Sequence, residues 1–218
     1  AYGGVANTVS SITTAVTNMN VANSNSGVSS NISFNLVHTY QVTYTESGST
    51  STDLSRLRTD GDGFMDDIHT RRNLYLADLV SLIVASPTTT CGIGYLNTNP
   101  TNYSANNGFN VTVYNCVVGN YSMSHELGHN MGLQHDWYVS TSTLPCQHHH
   151  GYVNQAVIPS GLPTTARWRT ILAYNDQCSV NGFTCSRLNY WSNPNISNTG
   201  NPMGIGLAGP NPAYEVYG

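Results

Sequence analysis

The 218-residue chain has seven arginines, no lysine and eleven acidic residues, so its formal net charge is −4 and only 8% of its residues are charged. The scattered arginines form no basic stripe that could follow a phosphate backbone, so nucleic acid is excluded as a partner. No apolar run approaches the roughly 20 residues that cross a bilayer, so no membrane association is expected.

The length suits one domain with its own core, and neither a repeat nor a linker suggests a boundary. The first residues, 1–4, lack the basic region and apolar core of a signal peptide. We therefore expect the numbering to begin at a processed N-terminus.

The first quarter of the chain predicts a helix and then a strand. Between residues 5 and 19, apolar side chains recur at steps of three and four, as on one face of an amphipathic helix. The Asn/Ser/Gly segment 23–27 ends that helix. Residues 32–42 are rich in β-branched and aromatic side chains, which favours a strand, and 46–55 predict a polar loop.

Residues 60–67 partly resemble a calcium-binding loop. However, Phe64 stands where a carboxylate or amide ligand is needed, and no bidentate glutamate closes the loop. We favour a turn leading into a helix at 66–76, with calcium as the less favoured alternative.

Two further segments predict strands. Residues 77–84 are apolar enough for a strand buried on both faces, and 109–118 alternate as a strand should. Helices alternating with such strands predict an α/β fold with a largely parallel sheet.

The most informative segment is 124–136, which contains the pattern H-E-x-x-H-x-x-G-x-x-H-D. His125 and His129 are four residues apart, so on a helix both imidazoles project from one face. Gly132 can end the helix in a left-handed conformation, and the turn returns His135 towards the same point.

Three histidines leave one position of a tetrahedral zinc ion open, which separates a catalytic site from a closed structural one. Such an ion lowers the pKa of bound water to roughly 7, and Glu126 lies where a proton-transferring base is needed. The pattern therefore predicts metal-assisted peptide hydrolysis with one zinc ion. The alternatives are histidines that serve packing, or a closed zinc site without chemistry.

Beyond Asp136 the periodicity fades, and residues 137–169, with three prolines, predict irregular structure. The odd number of cysteines fits an oxidising compartment, where neighbours in sequence are the economical disulfide pairs, Cys91 with Cys116 and Cys178 with Cys185. Cys146 is then left over. Residues 148–150, three consecutive histidines, could bind a second metal or form an incidental solvated run, and we assign no site to them.

The zinc motif with its third histidine is that of the metzincins. The flanking segments 115–122, 168–174 and 185–194 resemble those of secreted bacterial peptidyl-Asp metalloendopeptidases and their reprolysin-like relatives. Weaker similarity reaches upstream through 36–38, 61–63 and 77–82, so the resemblance covers most of the chain.

The resemblance implies a zincin-like α/β catalytic domain. Its twisted, mostly parallel sheet would have one antiparallel edge strand, followed by the active-site helix and an irregular C-terminal subdomain. We expect a single domain, with residues 1–133 as the upper subdomain and 134–218 as the lower.

Metzincins carry a methionine-containing turn beneath the zinc ligands, and Leu172 occupies that position here. Leucine is nearly isosteric with methionine, so the apolar floor is expected to survive at a cost under about 1.5 kcal/mol. Tyr174 matches a tyrosine that in some metzincins reaches the zinc or the tetrahedral intermediate; a tyrosine that only packs in the pocket wall is the alternative. Asp136 is expected to anchor the end of the motif by hydrogen bonds.

In this fold an extended substrate adds antiparallel to an edge strand, for which residues 109–118 or 91–96 are the candidates. A preference for Asp after the scissile bond, as the resemblance implies, needs a guanidinium in the pocket. Arg169, Arg187 and Arg167 are available, whereas Asp176 would favour basic side chains instead.

The expected protein is thus a secreted, extracellular zinc endopeptidase acting on protein or peptide substrates, monomeric, with its propeptide removed. A rival interpretation is a non-catalytic domain on a metzincin scaffold that binds glycan or protein and keeps zinc for stability. Leu172 and the low charge support the rival.

Overall fold

The computed structural model describes residues 4–85, 89–99, 104–154 and 167–217, and these form two compact units. The first unit comprises residues 1–18 and 34–131, and the second 19–33 and 132–218. The expected division of one catalytic domain at residue 133 stays a prediction. No helix in the described ranges is long and apolar enough to cross a membrane.

The first unit holds most of the regular structure. Its helices are the first part of α1 (Gly4–Asn25), α2 (Thr50–Arg58), α3 (Asp67–Leu74) and α4 (Ser122–Asn130). Its strands are β1 (Val80–Val84), β2 (Gly92–Gly94) and β3 (Phe109–Val113), and short 3-10 turns cover Ala105–Asn107 and Tyr114–Cys116.

The three strands form one sheet in the order β1-β3-β2. β1 runs parallel to β3 with Val80 opposite Phe109, and β2 runs antiparallel with Ile93 opposite Val111. The unit is therefore mixed α/β with a parallel pair and an antiparallel strand at one edge. Every residue of β3 is buried, as befits a middle strand packed against α2 and α4.

Two predictions for this unit are wrong. Residues 32–42 form no strand; Tyr40 and Val42 still pack against the core, but the segment joins no ladder, so its β-rich composition reflects packing only. The polar loop predicted at 46–55 becomes α2 from Thr50 onwards, because the Ser49 side chain caps the helix by accepting from the amide of Thr52.

The remaining predicted elements of this unit are confirmed with shifted ends. At 61–66 the carboxylate of Asp66 accepts the amides of Gly61 (2.9 Å) and Gly63 (3.1 Å), so the segment is a turn ahead of α3. β3 ends at Val113, five residues before the predicted end.

The second unit has little regular structure. Besides the end of α1, it contains the short helix α5 (Asp176–Ser179) and two two-stranded pairs: β4 (Trp168–Arg169) beside β5 (Ser186–Arg187), and β6 (Asn193–Asn198) beside β7 (Asn201–Met203). Between residues 137 and 154 no helix or strand forms, as predicted, but the end of the segment predicted to be irregular, Trp168–Arg169, forms β4. Residues 155–166, with two of the predicted loop prolines, lie outside the described ranges.

Side-chain hydrogen bonds take the place of long ladders in this unit. The Trp191 indole donates to Asn23 (2.8 Å), and the amide of Ser192 donates to the buried carboxyl of Glu215 (2.6 Å). Disulfides join Cys178 to Cys185 here and Cys91 to Cys116 in the first unit, the pairs expected from the sequence.

Candidate metal centre

Helix α4 presents the first two predicted ligands. The helix begins after Tyr121, whose backbone is left-handed (φ 53°), and almost all of its residues are buried. The His125 and His129 rings lie 4.8 Å apart between centroids, as the four-residue spacing requires.

The chain then turns so that the third histidine joins them. Gly132 has φ 99°, a conformation that favours glycine, directly after the last helical turn. The donor atoms of His125, His129 and His135 lie within 4.8 Å of one another. Three imidazoles, with His125 buried, are the donor set of a catalytic zinc site, so the residues present fit one metal ion.

Glu126 lies in a close-fitting place that the sequence did not reveal. A Cβ atom on Gly92 would lie 2.8 Å from both Cγ and Oε1 of Glu126, and one on Gly94 would lie 2.8 Å from its carbonyl oxygen. Only glycine at these two positions of β2 lets the strand approach the buried glutamate. The signal was present in the sequence as a Gly-Ile-Gly triplet, whose glycines share one face of a strand.

Asn130 is a second residue that the sequence did not identify. Its fully buried amide donates to the carbonyls of Tyr95 (2.9 Å), Asn107 (2.8 Å) and Phe109 (3.0 Å), and accepts from the Asn110 side chain (2.9 Å). The amide of Asn97 also donates to the carbonyl of His129 (3.0 Å). The end of α4 that carries His129 is thereby fastened to the sheet.

Asp136 ties the end of the motif to a later segment. Its Oδ2 accepts the amide of Tyr174 (2.8 Å), and its Oδ1 accepts the amide of Tyr138 (3.1 Å). Burial raises the pKa of the Asp136 carboxyl above its usual value, and these two amide donors oppose that rise.

The segment 172–174 lies beside the third ligand. Leu172 is fully buried, and the ring of Tyr174 lies 4.2 Å from the ring of His135 between centroids. A Cβ on Gly151 would lie 2.8 Å from the carbonyl carbon of Leu172, so glycine is needed there for close packing of the turn.

Two of the predicted pocket arginines converge on one carbonyl oxygen. Arg169 donates to the carbonyls of Ala173 (2.6 Å) and Cys185 (3.1 Å), and Arg187 donates to the same carbonyl of Ala173 (3.2 Å). Burial lowers the pKa of Arg169, and the charges of Asp136 and Asp176 oppose that effect. Arg167 instead stacks over the ring of Phe183 at 3.8 Å.

The family model for Metallo-peptidase family M12B Reprolysin-like matches residues 9–136, more than half of the chain and the whole zinc motif. The chain belongs to this metallopeptidase family. The reprolysin-like resemblance seen in the sequence is thereby confirmed, and membership implies a bound metal, which the three histidines fit.

Several relatives of this reprolysin-like chain bear the name Peptidyl-Asp metalloendopeptidase. One from Stenotrophomonas maltophilia (strain R551-3) is 39% identical over 97% of this chain and 46% of its own length. One from Xanthomonas campestris pv. campestris is 38% identical over 94% of this chain and 43% of its own. One from Pseudomonas fragi is 37% identical over 80% of this chain and 84% of its own.

The chain thus spans just under half the length of the first two relatives. No solved structure matches it significantly.

Proposed function

We propose that this chain is the catalytic domain of a secreted zinc endopeptidase. The observation that carries the proposal is the cluster of three histidine donors within 4.8 Å, with the buried Glu126 next to the first ligand in a chain of a metallopeptidase family. When bound, zinc supplies a Lewis acid that polarises the scissile carbonyl and makes water a nucleophile near neutral pH.

Glu126 performs the proton transfers in this proposal. Its carboxylate takes a proton from the attacking water as the new C–O bond forms, and passes it to the amine nitrogen as the C–N bond breaks. The close approach of Gly92 holds this side chain in place, and Gly94 packs against the backbone carbonyl of the same residue. His125, His129 and His135 would hold the metal through their imidazole nitrogens.

The surrounding residues position the ligands. Tyr174 packs against His135, and its phenol is a candidate donor to the negative charge that develops on the carbonyl oxygen. Asp136 holds the backbone of Tyr174, and Leu172 supplies the buried apolar floor.

Replacement of the base tests the mechanism. Glu126→Gln is expected to retain zinc, because the ligands are untouched, and to lower the turnover number for casein by about 10²–10⁴-fold, because the amide cannot accept the proton. Metal analysis and the rate of casein hydrolysis measure the two effects.

Glu46→Gln is the matched control, because an amide oxygen can still accept the hydrogen bond that Glu46 accepts from the amide of Ala85. If Glu126→Gln kept full activity, the mechanism would be wrong. If the wild-type protein cleaved no casein, with or without a metal chelator, the non-catalytic binding domain would be favoured instead.

We propose further that the enzyme prefers Asp after the scissile bond, since its relatives bear the name Peptidyl-Asp metalloendopeptidase. The support from this chain is the pair Arg169 and Arg187, whose guanidinium groups meet at the carbonyl of Ala173 and concentrate positive charge there. Of this pair, Arg187 is the residue that we assign to the substrate carboxylate.

Arg187→Ala tests this assignment. A charge-assisted hydrogen bond contributes about 1.5–3 kcal/mol, so the preference for Asp over Asn in matched peptides should fall by roughly 10- to 100-fold, with a smaller change for the Asn peptide. The measurement is kcat/KM for both peptides.

Arg167→Ala is the control, since its guanidinium stacks on Phe183. If wild type and Arg187→Ala preferred Asp over Asn by the same factor, the assignment of Arg187 would be wrong. If the wild-type enzyme cut peptides without acidic residues after the cleaved bond, the preference for Asp itself would be wrong.

The proposed extracellular location rests on the two disulfides, because such bonds persist in oxidising compartments. A removed propeptide and a monomeric state stay predictions from the sequence.

A further inference from the structure

A second group of metal-binding side chains lies in the second unit, apart from the three-histidine cluster. The donor atoms of Cys146, His148 and His149 lie within 4.8 Å of one another. All three residues are half-buried, so a cation in solution can reach them. Cys146 is the one cysteine outside the two disulfides, so its thiol is available.

The backbone holds these three residues in a fixed turn. The amide of His149 donates to the carbonyl of Cys146 (3.2 Å), which closes a turn with His148 inside it. The carbonyl of His148 accepts from Tyr214 (2.8 Å), and that of His149 accepts from Gln134 (2.6 Å). Because the turn is anchored at both histidines, binding a cation would cost little backbone ordering.

The ring of His149 has a hydrogen bond with the backbone of Gly132, but one of its two nitrogens has no partner. Its Nδ1 is buried and forms no hydrogen bond, which for a buried polar atom costs about 1–3 kcal/mol. Its ring meets that of His148 at 4.6 Å, edge to face. The neighbouring His150 differs, because its Nδ1 contacts the carbonyl of His135 (2.6 Å) and its Nε2 that of Ser142 (2.9 Å).

We propose that Cys146, His148 and His149 form a second metal site, which binds a thiophilic divalent cation of the zinc type. One thiolate and two imidazoles match the ligand preferences of zinc and of late first-row metals, and exclude calcium and magnesium. With three protein ligands, the remaining position of a tetrahedral ion is filled by solvent.

Binding at this site has a consequence for the first metal centre. Gln134 and His135 are hydrogen-bonded to His149 and His150, so an ion held at the turn would stiffen the segment that carries the third histidine ligand. The second site is therefore expected to stabilise the folded protein by mass action.

Cobalt is the probe that separates the two sites. Co²⁺ bound by a thiolate shows a near-ultraviolet sulfur-to-metal charge-transfer band, whereas a site of three imidazoles has none. We expect wild-type protein with a titratable free thiol to bind two equivalents of Co²⁺ and to show this band. Cys146→Ser should bind one equivalent and lack it.

Further variants make the result specific. His148→Ala and His149→Ala should each weaken cobalt binding at the thiolate site by at least 10-fold, whereas His38→Ala, outside both clusters, should not. His125→Ala should keep the thiolate band, because it affects only the first centre. Circular dichroism establishes that each variant is folded.

One equivalent of Co²⁺ without a thiolate band in the wild type would overturn the proposal. So would a band that survives in both His148→Ala and His149→Ala, since Cys146 would then bind the metal without them. These measurements require no peptidase activity, so they can disprove the second metal site without disproving the proposed function, and the reverse.

Discussion

At the scale of single residues, the two glycines of β2 are packed closely against the residue proposed as the base. Glu126 is conspicuous in the zinc motif, yet its carboxylate is held against a strand that can approach only because positions 92 and 94 lack side chains. A base misplaced by about 1 Å can lose on the order of 10²-fold in rate, so this packing bears directly on the proposed chemistry.

Gly92→Ala is therefore expected to lower the turnover number strongly, on the order of 10²-fold, while zinc stays bound. The added Cβ would lie 2.8 Å from Oε1 of Glu126 and must displace it. Steady-state kinetics with zinc analysis is the measurement. Gly119→Ala is the matched control, because a Cβ there meets nothing within 4 Å; equal losses in both variants would refute the positioning role.

The zinc motif and the disulfide between Cys178 and Cys185, seven residues apart, could be predicted at this scale because their geometry is local. A four-residue step on a helix and a glycine with φ 99° are properties of a short segment. Asn130 could not be predicted, because its three carbonyl acceptors come from residues 21 to 35 positions away in the chain.

At the scale of elements, prediction succeeded where periodicity and burial agreed. α3, β1 and β3 each form within a predicted segment, because their apolar residues face a core. The segment 32–42 has the composition of a strand but not the pairing, since a ladder needs a partner that composition does not specify.

Sheet order decides which strand can receive a substrate. Residues 109–113 pair on both sides, with β1 and β2, so they cannot be the edge strand. That leaves the segment 91–96, which contains β2, as the candidate for strand addition in the proposed enzyme. The predicted alternation of strands and helices was compatible with either 109–118 or 91–96 as the edge strand.

At the scale of the whole molecule, a buried carboxyl makes stability depend on pH. Glu215 is buried, and burial raises its pKa from 4.5 to about 8, although the amide and hydroxyl of Ser192 oppose the rise. Between these two values the folded protein holds a proton that the unfolded chain releases. The free energy of unfolding from this group therefore falls as the pH rises towards 8.

Glu215→Gln should remove this dependence, because the amide keeps an oxygen for Ser192 and does not titrate. We expect urea unfolding to show that wild-type protein loses more stability between pH 5 and pH 8 than the variant does, at equal metal content. Glu46→Gln should follow the wild type. Parallel pH profiles for wild type and Glu215→Gln would show that Glu215 ionises normally in the fold.

The sequence by itself determined the family and predicted the metal chemistry, because the predicted ligands, the predicted base and the turn glycine lie within one short segment. Only the tertiary structure decided that Gly92 packs on Glu126 and that β2 is an edge strand. It also decided that Arg169 and Arg187 donate to one carbonyl oxygen, and that Cys146 lies beside two of three consecutive histidines. The physical reason is that most of these depend on contacts between distant segments, and the last on how a turn without regular structure directs its side chains.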